Sequence, residues 1–313
     1  MNERETQPER CAAECGLVTP TTTRVRYYDV HSADGTRLRA WTNDADGPTV
    51  LLCNGLGTNP HAWPSLTRPD CGVRIISWNH RGTGGSDRPK DRRRVDLDSF
   101  VEDALAVMDD AGIDRCVVMG WSAGVTVAFE LAGRHPDRVA GIFAVNGVPG
   151  NTLGTSLRPL RLPGPVARTL MTGFAHVGRA TGRYLSAITT GLPVTATTAN
   201  LLRWTRLVDA SADPHVVRDT VQEMLSTDPD WYANLALGVA THRRVGLSAI
   251  KVPVTMLAGT NDMLTSAVAM RTAAERLHDV VFIEIEATHF IPFGRPELVL
   301  AELKNVLKRV GEA

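Results

Sequence analysis

The segment Val117-Val118-Met119-Gly120-Trp121-Ser122-Ala123-Gly124 constrains this chain more than any other stretch. The apolar run 116–119 reads as a buried strand, and the small and apolar residues 125–133 read as a helix. A chain that turns straight from strand into helix brings its backbone very close to itself. Gly120 and Gly124 permit that, because a Cβ at either place would clash. The turn leaves the Ser122 hydroxyl at the helix N-terminus, where backbone N–H groups and the helix dipole favour developing negative charge. Gly-x-Ser-x-Gly also arises by chance in loops rich in glycine and serine. Here the strand before it and the helix after it are what give it meaning.

The same alternation runs along most of the chain. Residues 25–30 and 36–41 flank the hairpin turn signal Ser32-Ala33-Asp34-Gly35. The apolar runs 48–53 and 73–78 follow. Continuous rather than alternating apolar runs indicate strands buried on both faces of a parallel sheet. Residues 96–112 carry Leu97, Val101, Ala104, Leu105 and Met108 at helical spacing. A strand is expected at 140–145. The pattern then breaks and resumes with a strand at 252–259, a helix at 266–278 and a strand at 280–285. Pro296 opens a last helix that Gly311 is placed to end. The fold expected is α/β, a mostly parallel twisted sheet with helices on both faces. The expected division is a tail at 1–22, a core of 23–150 with 229–313, and a helical cap at 151–228 inserted between late strands. Within the core, 229–246 reads as a helix returning from the insertion.

Composition bounds the function classes. At 313 residues the chain is long enough for one large α/β domain with an insertion. Its net charge of +0 gives no global case for nucleic acid or a charged surface. No apolar run approaches the roughly 18 residues of a transmembrane helix, and residues 1–10 lack the apolar region of a secretory signal. The five cysteines include Cys53 and Cys116 inside apolar runs, which suits reduced, buried thiols in a cytoplasm. Cys11 and Cys15 could form a metal or redox pair, but no nearby Cys/His set completes a site, so two thiols in a polar tail is the simpler reading.

Three residues at three expected strand ends supply a hydrolytic chemistry. A serine hydroxyl is a poor nucleophile at neutral pH and needs a base, and a base histidine needs a carboxylate to hold its tautomer. Ser122 is the candidate nucleophile. His289, in Ala287-Thr288-His289-Phe290 after the last strand, is the candidate base. Asp262, in Gly259-Thr260-Asn261-Asp262 after the preceding strand, is the candidate acid. Alone, His289 is one histidine of nine and Asp262 is a turn aspartate; it is the combination that carries the inference. The strand ending at Asn146 offers no carboxylate at its tip. Metal chemistry has no His-x-x-x-His or Glu-flanked pair to support it. The glycines of His80-Arg81-Gly82-Thr83-Gly84-Gly85-Ser86 lack the Lys-Ser/Thr of a phosphate-binding loop.

The elbow, the Ser-Asp-His chain order and the 80–86 loop together resemble the α/β-hydrolase family, over nearly everything outside the tail and the insertion. The resemblance implies an oxyanion hole made by the N–H groups of Ala123 and, from Asn54-Gly55-Leu56-Gly57, of Leu56. Asn54 departs from the histidine usual there, so the hydrogen bonding that shapes this loop must differ. A serine nucleophile argues against the dehalogenase and epoxide hydrolase branches, which place aspartate at that position. The Asn-Gly-Leu-Gly loop is similar to that of intracellular medium-chain polyester depolymerases, whose elbow differs. The insertion takes the place of the family's lid. Its Leu157, Leu160, Leu162, Val166, Leu170, Met171, Phe174, Leu185 and Ile188 are expected to make it apolar and helical, most packing it onto the core and some facing the crevice.

The expectation is a cytoplasmic serine hydrolase, without cofactor or metal, that cleaves a small-molecule carboxylic ester with a lipophilic acyl group or ring. Trp121, Asn54, Trp204 and Phe290 are the candidate pocket residues, with Trp121 and Trp204 equally readable as core. Lactone, thioester or C–C bond hydrolysis, acyl transfer, and a non-catalytic ligand receptor on the same fold stay open, because fold and triad fix a reaction class rather than a substrate. No nucleic-acid partner and no integral membrane segment are expected. The arginine-rich insertion could meet an acidic substrate or an anionic lipid surface, or simply form a solvated face. A homodimer stays open.

Overall fold

The structure, a computed structural model, describes residues 25–150, 164–189, 194–204, 208–240, 242 and 246–312. The expected tail at 1–22 with Cys11 and Cys15, and the start of the insertion with Leu157, Leu160 and Leu162, lie outside these residues.

The described residues begin with a hairpin, β1 (Arg26–His31) and β2 (Arg37–Thr42), closed by Gly35 at φ +79°. The strands β3 (Thr49–Cys53), β4 (Arg74–Trp78), β5 (Cys116–Trp121), β6 (Val139–Val145), β7 (Val254–Gly259) and β8 (Val280–Ile285) complete one sheet. Its order is β1-β2-β4-β3-β5-β6-β7-β8. β2 runs antiparallel to both β1 and β4, and every later pairing is parallel. The central strands β5 and β6 are buried throughout, as expected of strands covered on both faces. The edge strand β8 alternates between half-buried and exposed positions.

Helices cover both faces. α1 (Leu97–Asp110) starts at Asp96, whose side chain accepts from the Ser99 N–H. α2 (Ala123–Arg134) follows β5 directly. The helices α3 (Gly164–Thr189), α4 (Ala196–Trp204), α5 (Pro214–Leu225) and α6 (Pro229–Ala240) lie between β6 and β7. α7 (Ala267–Ala274), the short α8 (Ile291–Gly294) and α9 (Pro296–Val310) follow. α9 ends at Gly311, whose left-handed backbone lets its N–H reach the Leu307 and Lys308 carbonyls. Apolar residues of α1, α2, α6 and α7 pack in one core cluster. Those of α9 pack with Trp41, Trp63 and Phe143 in the other.

Two helices are shorter than their sequence pattern. The helix expected over 266–278 stops at Ala274, and the one expected over 229–246 stops at Ala240. The loop at 80–86 is structural. The Arg81 guanidinium is fully buried, donates to both Asp103 oxygens and to Ser32 Oγ, and also meets Asp34. Trp231 Nε1 of α6 donates to the Arg81 carbonyl at 2.7 Å. One side chain therefore ties the hairpin, the loop and α1 together, and its carbonyl brings in α6. Cys53, Cys71 and Cys116 are buried free thiols. Among the described residues no helix is long and apolar enough to cross a membrane.

Candidate active site

The parallel strands end along one edge of the sheet, and Ser122 stands at the tip of β5. Its backbone is at φ 55°, ψ −120°, a conformation that costs a non-glycine residue on the order of 1–3 kcal/mol and persists only where the surroundings enforce it. They do so here. Ser122 N–H donates to Val145 O at 3.0 Å. A Cβ on Gly120 would lie 2.7 Å from Gly124 O, and one on Gly124 would collide with the Cys53 carbonyl. The absence of those Cβ atoms lets α2 start directly beneath the serine.

The other two candidates converge on it. His289 Nε2 lies 3.0 Å from Ser122 Oγ, and His289 Nδ1 lies 2.7 Å from Asp262 Oδ2. Both His289 and Asp262 are buried. The remaining oxygen, Asp262 Oδ1, accepts the Leu264 and Thr265 N–H groups at 2.7 Å each. A carboxylate so placed takes a proton donor from the imidazole, which puts the hydrogen on Nδ1 and leaves Nε2 free to accept from the serine hydroxyl.

Asn146, noted from sequence only for lacking a carboxylate, proves to be wholly buried at the tip of β6. Its Nδ2 donates to Thr288 O at 2.8 Å and His289 O at 3.0 Å, and its Oδ1 accepts the Gly259 N–H at 2.7 Å. One amide thus holds the end of the strand before Asp262 and the backbone of His289. Its φ of 41° is tolerated better by asparagine than by most residues. Being at a strand tip was the signal that could have marked it.

The loop after β3 lies against the start of α2. A Cβ on Gly55 would sit 2.8 Å from the Trp121 ring. Among the described residues no acceptor is recorded for the N–H of Leu56, and that of Ala123 is a first-turn helix donor with no partner four residues back. Tyr232 Oη of α6 donates to Leu56 O at 3.2 Å; burial pushes this hydroxyl up to about 12, so it stays a neutral donor. Sequence reasoning missed Tyr232, which nothing in its helical pattern singled out.

The candidate pocket residues separate. Asn54 is buried, donating from Nδ2 to Ser77 Oγ at 2.9 Å and accepting at Oδ1 from Trp63 Nε1 at 2.7 Å. Its side chain is committed to shaping the loop, which corrects its placement in the pocket. Trp121 is 3% exposed and donates from Nε1 to His289 O at 3.1 Å, so it acts on the imidazole backbone from below. Phe290 is half-buried, its ring 5.5 Å from His289 and 5.9 Å from Trp121. Trp204 is 81% exposed at the end of α4 and, among the described residues, makes no ring contact with this aromatic group. Among the described residues no group of three or more His, Cys, Asp or Glu side chains could hold a metal ion.

Comparison with known proteins places this geometry. The sequence profile described as "alpha/beta hydrolase fold" matches residues 48–296. Epoxide hydrolase B of Mycobacterium tuberculosis is 30% identical over 151 residues, an alignment spanning 42% of this chain and 42% of that protein. RutD of a Caulobacter species, proposed to be a carbamate hydrolase, is 27% identical over 92% of this chain and 96% of its own length. The pimeloyl-[acyl-carrier protein] methyl ester esterase of Aromatoleum aromaticum is 26% identical over 83% of this chain and 98% of its own. Among solved structures, an esterase from Thermogutta terrifontis superimposes with a TM-score of 0.67 at 21% identity, covering 91% of this chain and 99% of that one.

Proposed function

The chain belongs to the α/β-hydrolase family, and from that premise we propose that it is a cytoplasmic serine hydrolase acting on a carboxylic ester with a lipophilic acyl group or ring. The observation that carries the reading is the unbroken chain of hydrogen bonds from Ser122 Oγ through His289 to Asp262. Ser122 Oγ attacks the ester carbonyl while His289 Nε2 takes its proton. The C–O bond to the alcohol then breaks, and His289 returns that proton to the leaving oxygen. Water, deprotonated by the same imidazole, releases the acid and restores Ser122. Asp262 keeps the imidazole in its tautomer and stabilises the imidazolium. The N–H groups of Leu56 and Ala123 receive the oxyanion, a contribution on the order of 3 kcal/mol per donor in related chemistry. In this reading residues 151–228 form the lid and no cofactor takes part. The alignment with a methyl ester esterase along most of both chains supports the ester class.

A carbamate is the second reading, favoured by the RutD alignment along most of both chains. The same machinery would attack its carbonyl. A p-nitrophenyl ester series of increasing acyl length, run beside a p-nitrophenyl carbamate, separates the two. Sustained ester turnover with carbamate giving only a stoichiometric burst supports the ester. Sustained carbamate turnover supports the alternative. A fluorophosphonate probe should label the protein, and Ser122→Ala should abolish both labelling and turnover. Labelling that survives Ser122→Ala would end both readings.

A further inference from the structure

We propose that the exposed apolar face of α3 docks on the surface of an anionic lipid bilayer. Val166, Leu170, Phe174, Val177 and Tyr184 recur at steps of three, four and seven, so they share one side of α3. All five are exposed, Phe174 at 69%, so Val166, Leu170 and Phe174 do not pack the insertion onto the core as their apolar character led one to expect. The opposite side of α3 rests on α6: a Cβ on Gly178 would touch Ala233, and one on Gly182 would collide with the Asp230 backbone. The stripe is therefore the side turned away from the protein. On α4, Leu201 and Trp204 are exposed as well. Single exposed apolar side chains are ordinary on any protein, but five in register along one helix make a patch that calls for a partner.

Charge identifies that partner. Residues 151–208 hold seven arginines and no aspartate or glutamate. In the rest of the molecule Arg26, Arg37, Arg81, Arg134 and Arg309 each stand in an ion pair. Among the described residues, Arg168, Arg179 and Arg203 meet no carboxylate; Arg168 and Arg203 donate to the Ala240 and Ala210 carbonyls instead. Their positive charge is left uncompensated. The stripe offers aromatic and aliphatic side chains to a membrane interface, and the net positive charge of the segment behind it draws the protein to an anionic surface. The apolar side enters the acyl boundary, and the unpaired arginines contribute a long-range attraction to lipid phosphates. A second copy of the chain would bring the same positive segment against itself, which disfavours this face as a dimer contact. The binding is independent of what the site at Ser122 cleaves.

The test is co-sedimentation of the full chain with phosphatidylcholine vesicles, with and without phosphatidylglycerol. The protein should pellet with the phosphatidylglycerol vesicles and be released as salt rises. Phe174→Asp and Tyr184→Asp should each lower partitioning by roughly tenfold or more. Arg179→Gln with Arg203→Gln should lower it by roughly fivefold or more. Far-UV circular dichroism and fluorophosphonate labelling of Ser122 should match the native chain in all three. No pelleting with phosphatidylglycerol vesicles overturns the proposal. So does equal binding to pure phosphatidylcholine, unchanged binding by folded variants, or a dimer that Phe174→Asp dissolves without any vesicle binding.

Discussion

At the scale of single residues, the side chains that hold the candidate triad matter as much as the triad. Asn146 satisfies two carbonyls and one N–H with a single buried amide. Asn146→Ala leaves those groups unpaired, at a cost of about 1–3 kcal/mol for each left unsatisfied, and frees the His289 backbone to shift. A displacement near 1 Å at a reacting group costs roughly 100-fold in rate. We expect kcat to fall on that order with KM little changed, and fluorophosphonate labelling of Ser122 to slow in step. Asn146→Asp should be no better, since a carboxylate would face the Thr288 and His289 carbonyl oxygens. A variant with lowered thermal stability but native kcat would make Asn146 purely structural.

At the scale of elements, the turn from β5 into α2 depends on absent atoms. A Cβ on Gly124 would collide with the Cys53 carbonyl, which is backbone and cannot rotate away. Gly124→Ala should therefore cost more than about 3 kcal/mol or prevent folding. The nearest atom to a Cβ on Gly133, in the same helix, is Ile250 Cδ1 at 3.9 Å. Gly133→Ala should be neutral or stabilising by about 0.5–1 kcal/mol. Thermal melts of the two variants compare them directly. Elements of this kind were legible in sequence because their cause is local. Runs of apolar residues marked β3 to β8, and Pro296 and Gly311 marked the ends of α9. Strand order was not legible, since the placement of β4 between β2 and β3 follows from crossovers rather than from any run of residues. Ser122, Asp262 and His289 could be read as candidates because each ends a recognisable strand. Asn54 and Trp121 could be read only as candidate pocket residues and Asn146 had no role, because what they do consists of hydrogen bonds to residues distant in the chain.

At the scale of the whole molecule, burial sets the response to acid. His80 is buried against Phe100, with rings 5.1 Å apart, and its Nδ1 has no partner among the described residues. Burial disfavours the imidazolium and lowers its pKa from 6.5 to about 4. The unfolded chain therefore binds this proton more readily than the folded one. The associated stability is fully present above about pH 6.5 and is lost as pH falls towards 4, at most about 3 kcal/mol. Urea unfolding across this window should show the decline, and His80→Phe should flatten it. An equal decline in both proteins would assign the acid sensitivity to other groups.

The strained backbone at Ser122 has a consequence for the order of events in time. The hydroxyl, the imidazole and the carboxylate are aligned by contacts that form when the chain folds, before any ligand arrives. The freedom those groups lose is surrendered once in the lifetime of the molecule rather than at every encounter with a substrate. Under the proposed reading, variation in what the protein accepts can then arise outside these three side chains, while their alignment stays as folding left it.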